Sequence, residues 1–371
     1  MSTRPTTIAI LLAIFISACH GGAERADIAV SRPAGTMTFA FYNVENLWDP
    51  ADAAGPGDDD FTPRGSMKWD EDRLERKLAG IARAVRGIDG LRGPDLLGIC
   101  EVENRRVLER LVGEFLPEGM YEIAHAESPD ERGIDVALLY RPAVARLRGI
   151  AMHRVDLGEG ERPTRDIMEA TFEKDGRSFT VLVNHWPSRR GGEAASGPRR
   201  RRAAEVAAFI IDSLTALDSS SDIVLMGDLN DEPTNASVTD VLDARAWDGS
   251  ADFAHRMINT AAPVVASDTI GSYYYRNDWE TIDQIMLGRG ALDSVGLTLF
   301  ESAENVFAPE YLRDARADPV VRPPHHSYIR GTLYIGGTSD HFPVFLRVGW
   351  ALSRPDPDVA SAPSSGRKGE K

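Results

Sequence analysis

Seven short runs rich in Val, Ile, Leu and Phe recur along the chain, and nearly every one begins or ends on a carboxylate, an asparagine or a histidine. The runs are MTFAFYNVENL, DLLGICEVEN, DVALLYRP, SFTVLVNHW, DIVLMGDLND, TIDQIML and HFPVFLRV. Apolar runs of this length and composition read as buried strands. Residues 70–88 and 199–217 carry the helical period instead. Sheets covered by helices follow, an α/β protein, and 371 residues, 42% of them hydrophobic, suffice for a large core.

The polar residues at the strand ends are Asn43, Glu101, Asp135, Asn184 with His185, Asp228 with Asn230, Asp283, and Asp340 with His341. One such residue is an ordinary turn or cap former. A series of them is not explained that way. Carboxylate and amide oxygens are hard ligands suited to Mg²⁺ or Mn²⁺, whereas the Cys or multi-His clusters that hold zinc are missing. Two separated histidines add a group that exchanges a proton near neutral pH and one that donates to a charged oxygen. Together these are an apparatus for attacking a phosphate ester with water.

YNVENL, DLLGICEVEN, GIDVALLY, VNHWPS, GDLND, TIDQIM and SDHFPV, in this order, resemble the strand-end signatures of the endonuclease/exonuclease/phosphatase superfamily, which includes deoxyribonuclease I and abasic-site endonucleases. The resemblance covers nearly all of residues 37–348. It implies a four-layered α/β sandwich, two packed mixed sheets flanked by helices, with the active site at one edge. It also implies Glu101 as the principal metal-binding residue, Asn43 supporting the metal, and Asp340 as a second metal-side carboxylate. His341 matches the general base and Asp283 the carboxylate that orients it. His185 matches the histidine that donates to a phosphate oxygen or the leaving group, with Asp135 as its orienting partner. Asp228 and Asn230 position the attacking water and stabilise the charged phosphorus, and either Asp228 or His341 removes the proton. Glu45 and Glu103, two residues beyond Asn43 and Glu101, share their strand faces if the strands persist that far.

Ahead of this body, MSTRPTTIAILLAIFISACH has one Arg, an apolar run from Ile8 to Ile16, then Ser17 and Ala18 before Cys19. That is an export signal, and its end resembles a bacterial lipobox in which Cys19 is lipidated. A simple cleaved signal peptide is the alternative. The expected divisions are a signal at 1–18, a flexible tether at 19–36, a catalytic domain at 37–352 and a disordered tail at 353–371. With Cys19 so used, Cys100 is left without an intrachain disulfide partner. The expected location is exported and membrane-anchored, facing periplasm or exterior, or else secreted.

A formal net charge of −15 repels nucleic acid and anionic lipid at long range, so a phosphate-bearing partner needs local cations or a metal. Arg189 and Arg190, a few residues after His185, are candidates for holding phosphate through their guanidinium forks. Arg199 to Arg202 open the predicted helix, where cations oppose the dipole, which hints at an anionic ligand. Residues 271–279, GSYYYRNDW, offer aromatic faces for stacking bases, with at least one Tyr turned to the core. Residues 55–65 miss the spacing of a helix–loop–helix calcium site.

Three functions compete: an extracytoplasmic metal-dependent nuclease; a phosphatase or sphingomyelinase-like phosphodiesterase acting on lipid or inositol phosphates; and a non-catalytic binding protein with the same fold. Outside the predicted strands there is no long Trp/Phe/Leu-rich stretch of the kind a lipid-cleaving enzyme uses to enter a bilayer. It lacks none of the main site positions. The nuclease is therefore the expected function, with a phosphodiester substrate, nucleic acid first among them, a lipid anchor in a membrane, and no protein partner inferred.

Overall fold

The computed structural model describes residues 33, 35–51, 59–267 and 270–352. In β1 (Thr36–Leu47), Phe39 and Phe41 join one apolar cluster while Ala40, Tyr42 and Val44 join another. A strand apolar on both faces needs cover on both.

β1 lies inside a mixed sheet ordered β14 (Gly296–Thr298), β18 (Val344–Ala351), β1, β2 (Leu96–Val102), β4 (Asp135–Tyr140), β3 (Glu122–His125), with β15 (Asn305–Val306) paired to β18. The second mixed sheet runs β5 (Arg146–His153), β6 (Ile167–Lys174), β7 (Arg177–His185), β8 (Ile223–Asp228), β13 (Asp283–Gly288), β10 (Met257–Asn259), β9 (Ala244–Arg245). The pairs β1/β2 and β7/β8, near the middle of their sheets, are parallel. Phe39, Phe41, Val136 and Leu138 of the first sheet meet Phe172, Val181, Val224 and Ile285 of the second in the central core.

Helices close the outer faces. Asp70 caps α1 (Glu71–Leu91) by accepting the Arg73 N–H at 3.1 Å, and Leu74, Leu78, Ile81 and Val85 pack on the first sheet. The helical backbone breaks at Ile88–Gly90, so the predicted end near residue 88 holds. A short α2 (Arg105–Arg110) follows β2. The second sheet is covered by α3 (Glu193–Leu217) through Ala203, Ala204, Ala207 and Ile211. The result is the expected four-layered α/β sandwich. Outside it lie α4 (Ala262–Ser267) and two hairpins, β11 (Tyr273–Tyr275) with β12 (Asp278–Glu280), and β16 (Tyr328–Ile329) with β17 (Leu333–Tyr334).

One expectation fails here. Because α3 begins at Glu193 rather than Arg199, the four arginines sit in the helix body, away from its N-terminal dipole. Each has a carboxylate instead: Arg199 with Glu161, Arg200 with Asp231, and Arg201 and Arg202 with Glu205. The dipole conflict that hinted at an anion does not exist. Cys19, the signal, nearly all of the tether and the tail lie outside the described residues.

At Gly227 in β8, a Cβ would stand 2.4 Å from the carbonyl oxygen of Asn184, its register partner in β7. That contact is with backbone, so neither side yields cheaply. Gly227→Ala is expected to lose about 1–3 kcal/mol of stability in urea unfolding, in line with overpacking a tight site. An unchanged unfolding midpoint would contradict this account of the β7/β8 contact.

Candidate active site

Strand alternation explains why the polar strand ends converge. Phe39 and Phe41 precede Asn43 on the core-facing row of β1, Val181 and Val183 precede His185 on β7, and Val224 and Met226 precede Asp228 on β8. On the antiparallel β13, Asp283 begins the row that continues with Ile285 and Leu287. Where the apolar filling ends, the next inward positions are polar and face one another between the sheets. His185, Asp228 and Asp283 are direct register neighbours across β7, β8 and β13. From the opposite sheet, Asn43 Nδ2 donates to Asp228 Oδ2 at 3.0 Å.

Glu101 reaches the same space differently. It is the extra residue of a bulge between Cys100 and Val102, with φ 62°, a left-handed conformation that costs a non-glycine residue about 1–3 kcal/mol. The Asn46 N–H donates to its Oε2 at 2.8 Å. Its Oε1 lies 4.0 Å from His185 Nε2. β1 has a matching irregularity between Asn43 and Leu47, so Glu45 does not continue the row of Asn43. Glu45 turns aside to accept the Ser327 N–H at 2.7 Å, and Glu103 accepts the Asp49 N–H at 2.5 Å.

His341 Nδ1 is 2.6 Å from Asp283 Oδ2, and its Nε2 is 4.0 Å from Asp228 Oδ2 and 3.9 Å from Asp340 Oδ1. Ser339 fixes the approach: its hydroxyl donates to the Asn43 carbonyl at 2.7 Å and accepts the His341 N–H at 3.1 Å. Burial works against a charged imidazole, yet Asp283 and Asp340 overcome it and raise the His341 pKa well above the ordinary value. His185 goes the other way, lowered by burial and by Arg165 and Arg132, and is neutral. Burial and the neighbouring Asp283 push Asp228 up to about 7.

A cleft of about 1000 Å³ opens over these groups, lined by Asn43, Glu101, His185, Asp228, Asp340 and His341 among others. Its oxygen donors fit a divalent cation. Against burial, which would raise it, Arg132, His341 and the Asn46 N–H hold the Glu101 carboxyl below its usual range, so it is anionic. Asp340 is raised by burial and by the charge of Glu101, a repulsion that a bound cation relieves. Asn43 Oδ1 accepts the Glu45 N–H at 2.9 Å and keeps a second lone pair.

Three sequence-based placements change. Asp135 does not orient His185: its carboxylate is taken by the Ser128 N–H at 2.8 Å, the Ser128 hydroxyl and His125 Nε2, while His185 Nδ1 is buried without a partner. Asn230 is not in an extended segment; at φ 50° its N–H turns back to Asp228 Oδ1 at 2.9 Å and its amide donates to the Trp186 carbonyl. It still lines the cleft. Arg189 spends its fork on the Asn230 carbonyl and Glu280, which leaves Arg190 as the freer of the two.

Sequence reasoning missed Arg132 and Ser339 as site residues and gave the YYY run only as an aromatic stretch for stacking, without saying which Tyr reaches the cleft. The Tyr273 ring lies over His341 with centroids 4.6 Å apart, and Tyr275 stacks on Tyr273 at 6.2 Å. Tyr274 packs on Trp279, which stacks on Phe342 in the core. Alternation in the YYY run held this signal, one face to the core and the other to the cleft. Arg132 and Ser339 carried none.

The sequence matches the Endonuclease/Exonuclease/phosphatase family over residues 38–349. The chain belongs to that family. Its members are generally phosphodiesterase or nuclease hydrolases, and its enzymes depend on a divalent metal. No curated protein matches the chain. Among solved structures, truncated Caenorhabditis elegans TDP2 is 13% identical with a TM-score of 0.51, covering 85% of this chain and 98% of its own. An endonuclease/exonuclease/phosphatase family protein from Bacteroides thetaiotaomicron is 17% identical, TM-score 0.50, with coverages of 85% and 98%. A functionally unknown conserved protein from Enterococcus faecalis V583 is 16% identical, TM-score 0.51, with coverages of 85% and 100%. At these identities the likeness is one of fold.

Asp283 is the largest favourable influence on the His341 imidazolium. In an NMR pH titration of the metal-free protein, Asp283→Asn is expected to lower the His341 pKa. An unmoved pKa would show that the 2.6 Å contact does not set the charge of His341.

Proposed function

We propose that the chain is an exported, Mg²⁺- or Mn²⁺-dependent phosphodiesterase that cleaves nucleic acid and is held outside the cytoplasm by a lipid on Cys19. The observation that carries the catalytic part is the convergence of Asp228, the His341–Asp283 pair and the anionic Glu101 on one cleft. Glu101 and Asp340, with Asn43, would hold the cation, which would supply Lewis-acid polarisation of a phosphoryl oxygen.

Every other element of the chemistry comes from the chain. Asp228, with a pKa of about 7, is the group poised to take the proton from the attacking water through a carboxylate oxygen. His341, doubly protonated on Asp283, is a donor toward phosphoryl oxygen from Nε2. Neutral His185 faces the cleft through Nε2, where it donates to the leaving side. Asn43 and the Asn230 N–H brace Asp228, so little reorganisation is needed at the moment of reaction.

Nucleic acid is favoured over lipid by the hairpin beside the cleft. Tyr275, 47% exposed, presents a ring face there, with the Arg276 guanidinium 5.1 Å from its centroid. The turn carries Arg276 and Asn277 rather than an apolar tip.

The test is hydrolysis by the full chain, with Mg²⁺, Mn²⁺ or chelator, of plasmid DNA, single-stranded DNA, RNA, sphingomyelin, inositol phosphates and bis-p-nitrophenyl phosphate. Chelator-sensitive cutting of nucleic acid is expected. Activity confined to lipid or inositol phosphates would move the assignment to those substrates, and silence across the panel would leave a binding protein. In steady-state kinetics, His341→Ala and Asp228→Asn should each lower kcat about 10²–10⁴-fold with KM changed far less, since both act on the transition state. Near-normal turnover in a folded variant would remove that residue from the mechanism. Tyr275→Ala should raise KM for a single-stranded oligonucleotide about tenfold, the scale of one base stack; an unchanged KM would dismiss the stacking face.

A further inference from the structure

A groove of about 530 Å³ adjoins the catalytic cleft and shares Arg132, Ser188 and Arg190 with it. Arg162, Arg165 and Arg199 bring its lining to five guanidinium groups against the carboxylates of Asp130, Glu131 and Glu161. In a chain of formal net charge −15, this local excess of positive charge beside a phosphoesterase site is out of keeping with the rest of the surface.

The five are not equivalent. Arg165 is scaffold: it is buried, with Nη1 on Asp130 at 3.0 Å and Nη2 on the Trp186 carbonyl at 2.9 Å. Arg190 has no carboxylate partner among the described residues and stands where groove and cleft meet. Arg132 is only loosely tied, 3.8 Å from Asp130. Arg162 and Arg199 pair with Glu131 at 2.6 Å and Glu161 at 2.8 Å, but their side chains are 78% and 40% exposed. Exposed pairs of this kind contribute little to stability, so a phosphate that accepts from the same fork can compete with the carboxylate.

We propose that this groove holds the phosphates that flank the scissile one, and that the substrate is a single nucleic-acid strand several nucleotides long. The proposal rests on the nuclease assignment and deepens it. A cluster of cations that shares Arg132 and Arg190 with the cleft matches a polyanionic chain. Tyr275, partly exposed at the cleft between Tyr273 and Arg276, takes a base that is not paired, which a single strand offers along its length and a duplex does not.

Binding measured without turnover tests it. The full chain in chelator is titrated, by fluorescence anisotropy at several salt concentrations, into a labelled thymidine dinucleotide, a twelve-nucleotide oligothymidylate and a duplex of the same length. The wild type is expected to bind the long strand at least about tenfold tighter than the dinucleotide and more tightly than the duplex. R162A/R199A should lose most of that length dependence, and its salt slope should be shallower by about 1.4, for two phosphate contacts at about 0.7 each. R162K/R199K should keep most of the slope, which separates loss of charge from a folding defect. Equal affinity for both lengths, duplex binding as tight as the strand, or a wild-type slope in R162A/R199A would overturn the proposal. Cleavage of the twelve-nucleotide strand with Mg²⁺, read in parallel, keeps the two assignments apart. Turnover with length-independent binding sinks the groove alone. Length-dependent binding without cleavage of nucleic acid sinks the nuclease alone.

Discussion

Several acidic groups, Glu101, Asp228, Asp283 and Asp340, crowd one edge of a two-sheet core, and the rest of the site follows from how that charge is borne. Buried like charges repel and lose hydration, which is expensive unless each is paired, hydrogen-bonded or protonated. The chain uses all three routes. Asp283 is paired with His341, Glu101 takes a backbone N–H and feels Arg132, and Asp228 is pushed up to about 7. What remains, Glu101 with Asp340 and Asn43 along the cleft, offers the hard oxygen that a divalent cation would take.

The fold holds these groups on rigid elements rather than loops. Asn43 ties the first sheet to Asp228 in the second, so the distance between the two walls of the cleft is set by the core beneath it. Ser339 ties the segment before His341 to the backbone of β1. Such bracing places donors before the substrate arrives, where electrostatic stabilisation is most effective. The arginine groove and the tyrosine hairpin lie further out, on segments outside the two main sheets.

Much of this was legible in the sequence because period-two alternation carries its own geometry. Once MTFAFYN, TVLVNH and IVLMGD are read as strands buried on both faces, Asn43, His185 and Asp228 fall on core-facing rows whose ends must meet. Glu101 obeyed the motif but not the alternation, since a bulge places it, and bulges leave no periodic trace. Asp135 was assigned to His185 although the partners it satisfies, Ser128 and His125, come from a loop and an edge strand that periodicity does not place. The helical period was read only from Arg199 because Gly197 and Pro198 are the poorest helix formers, whereas the helix runs through Pro198. Arg132 was invisible because its role depends on tertiary position alone.

The central claim is that the carboxylates at this edge form a divalent-cation site built around Glu101. Thermal unfolding of the wild type and Glu101→Gln across a titration of Mg²⁺ or Mn²⁺ tests it directly. A cation that binds only the folded state stabilises by about 2.7 kcal/mol at a hundredfold excess over Kd. The account predicts a saturable rise in Tm for the wild type that is largely lost in Glu101→Gln. No rise in the wild type, or the same rise in both proteins, would contradict it.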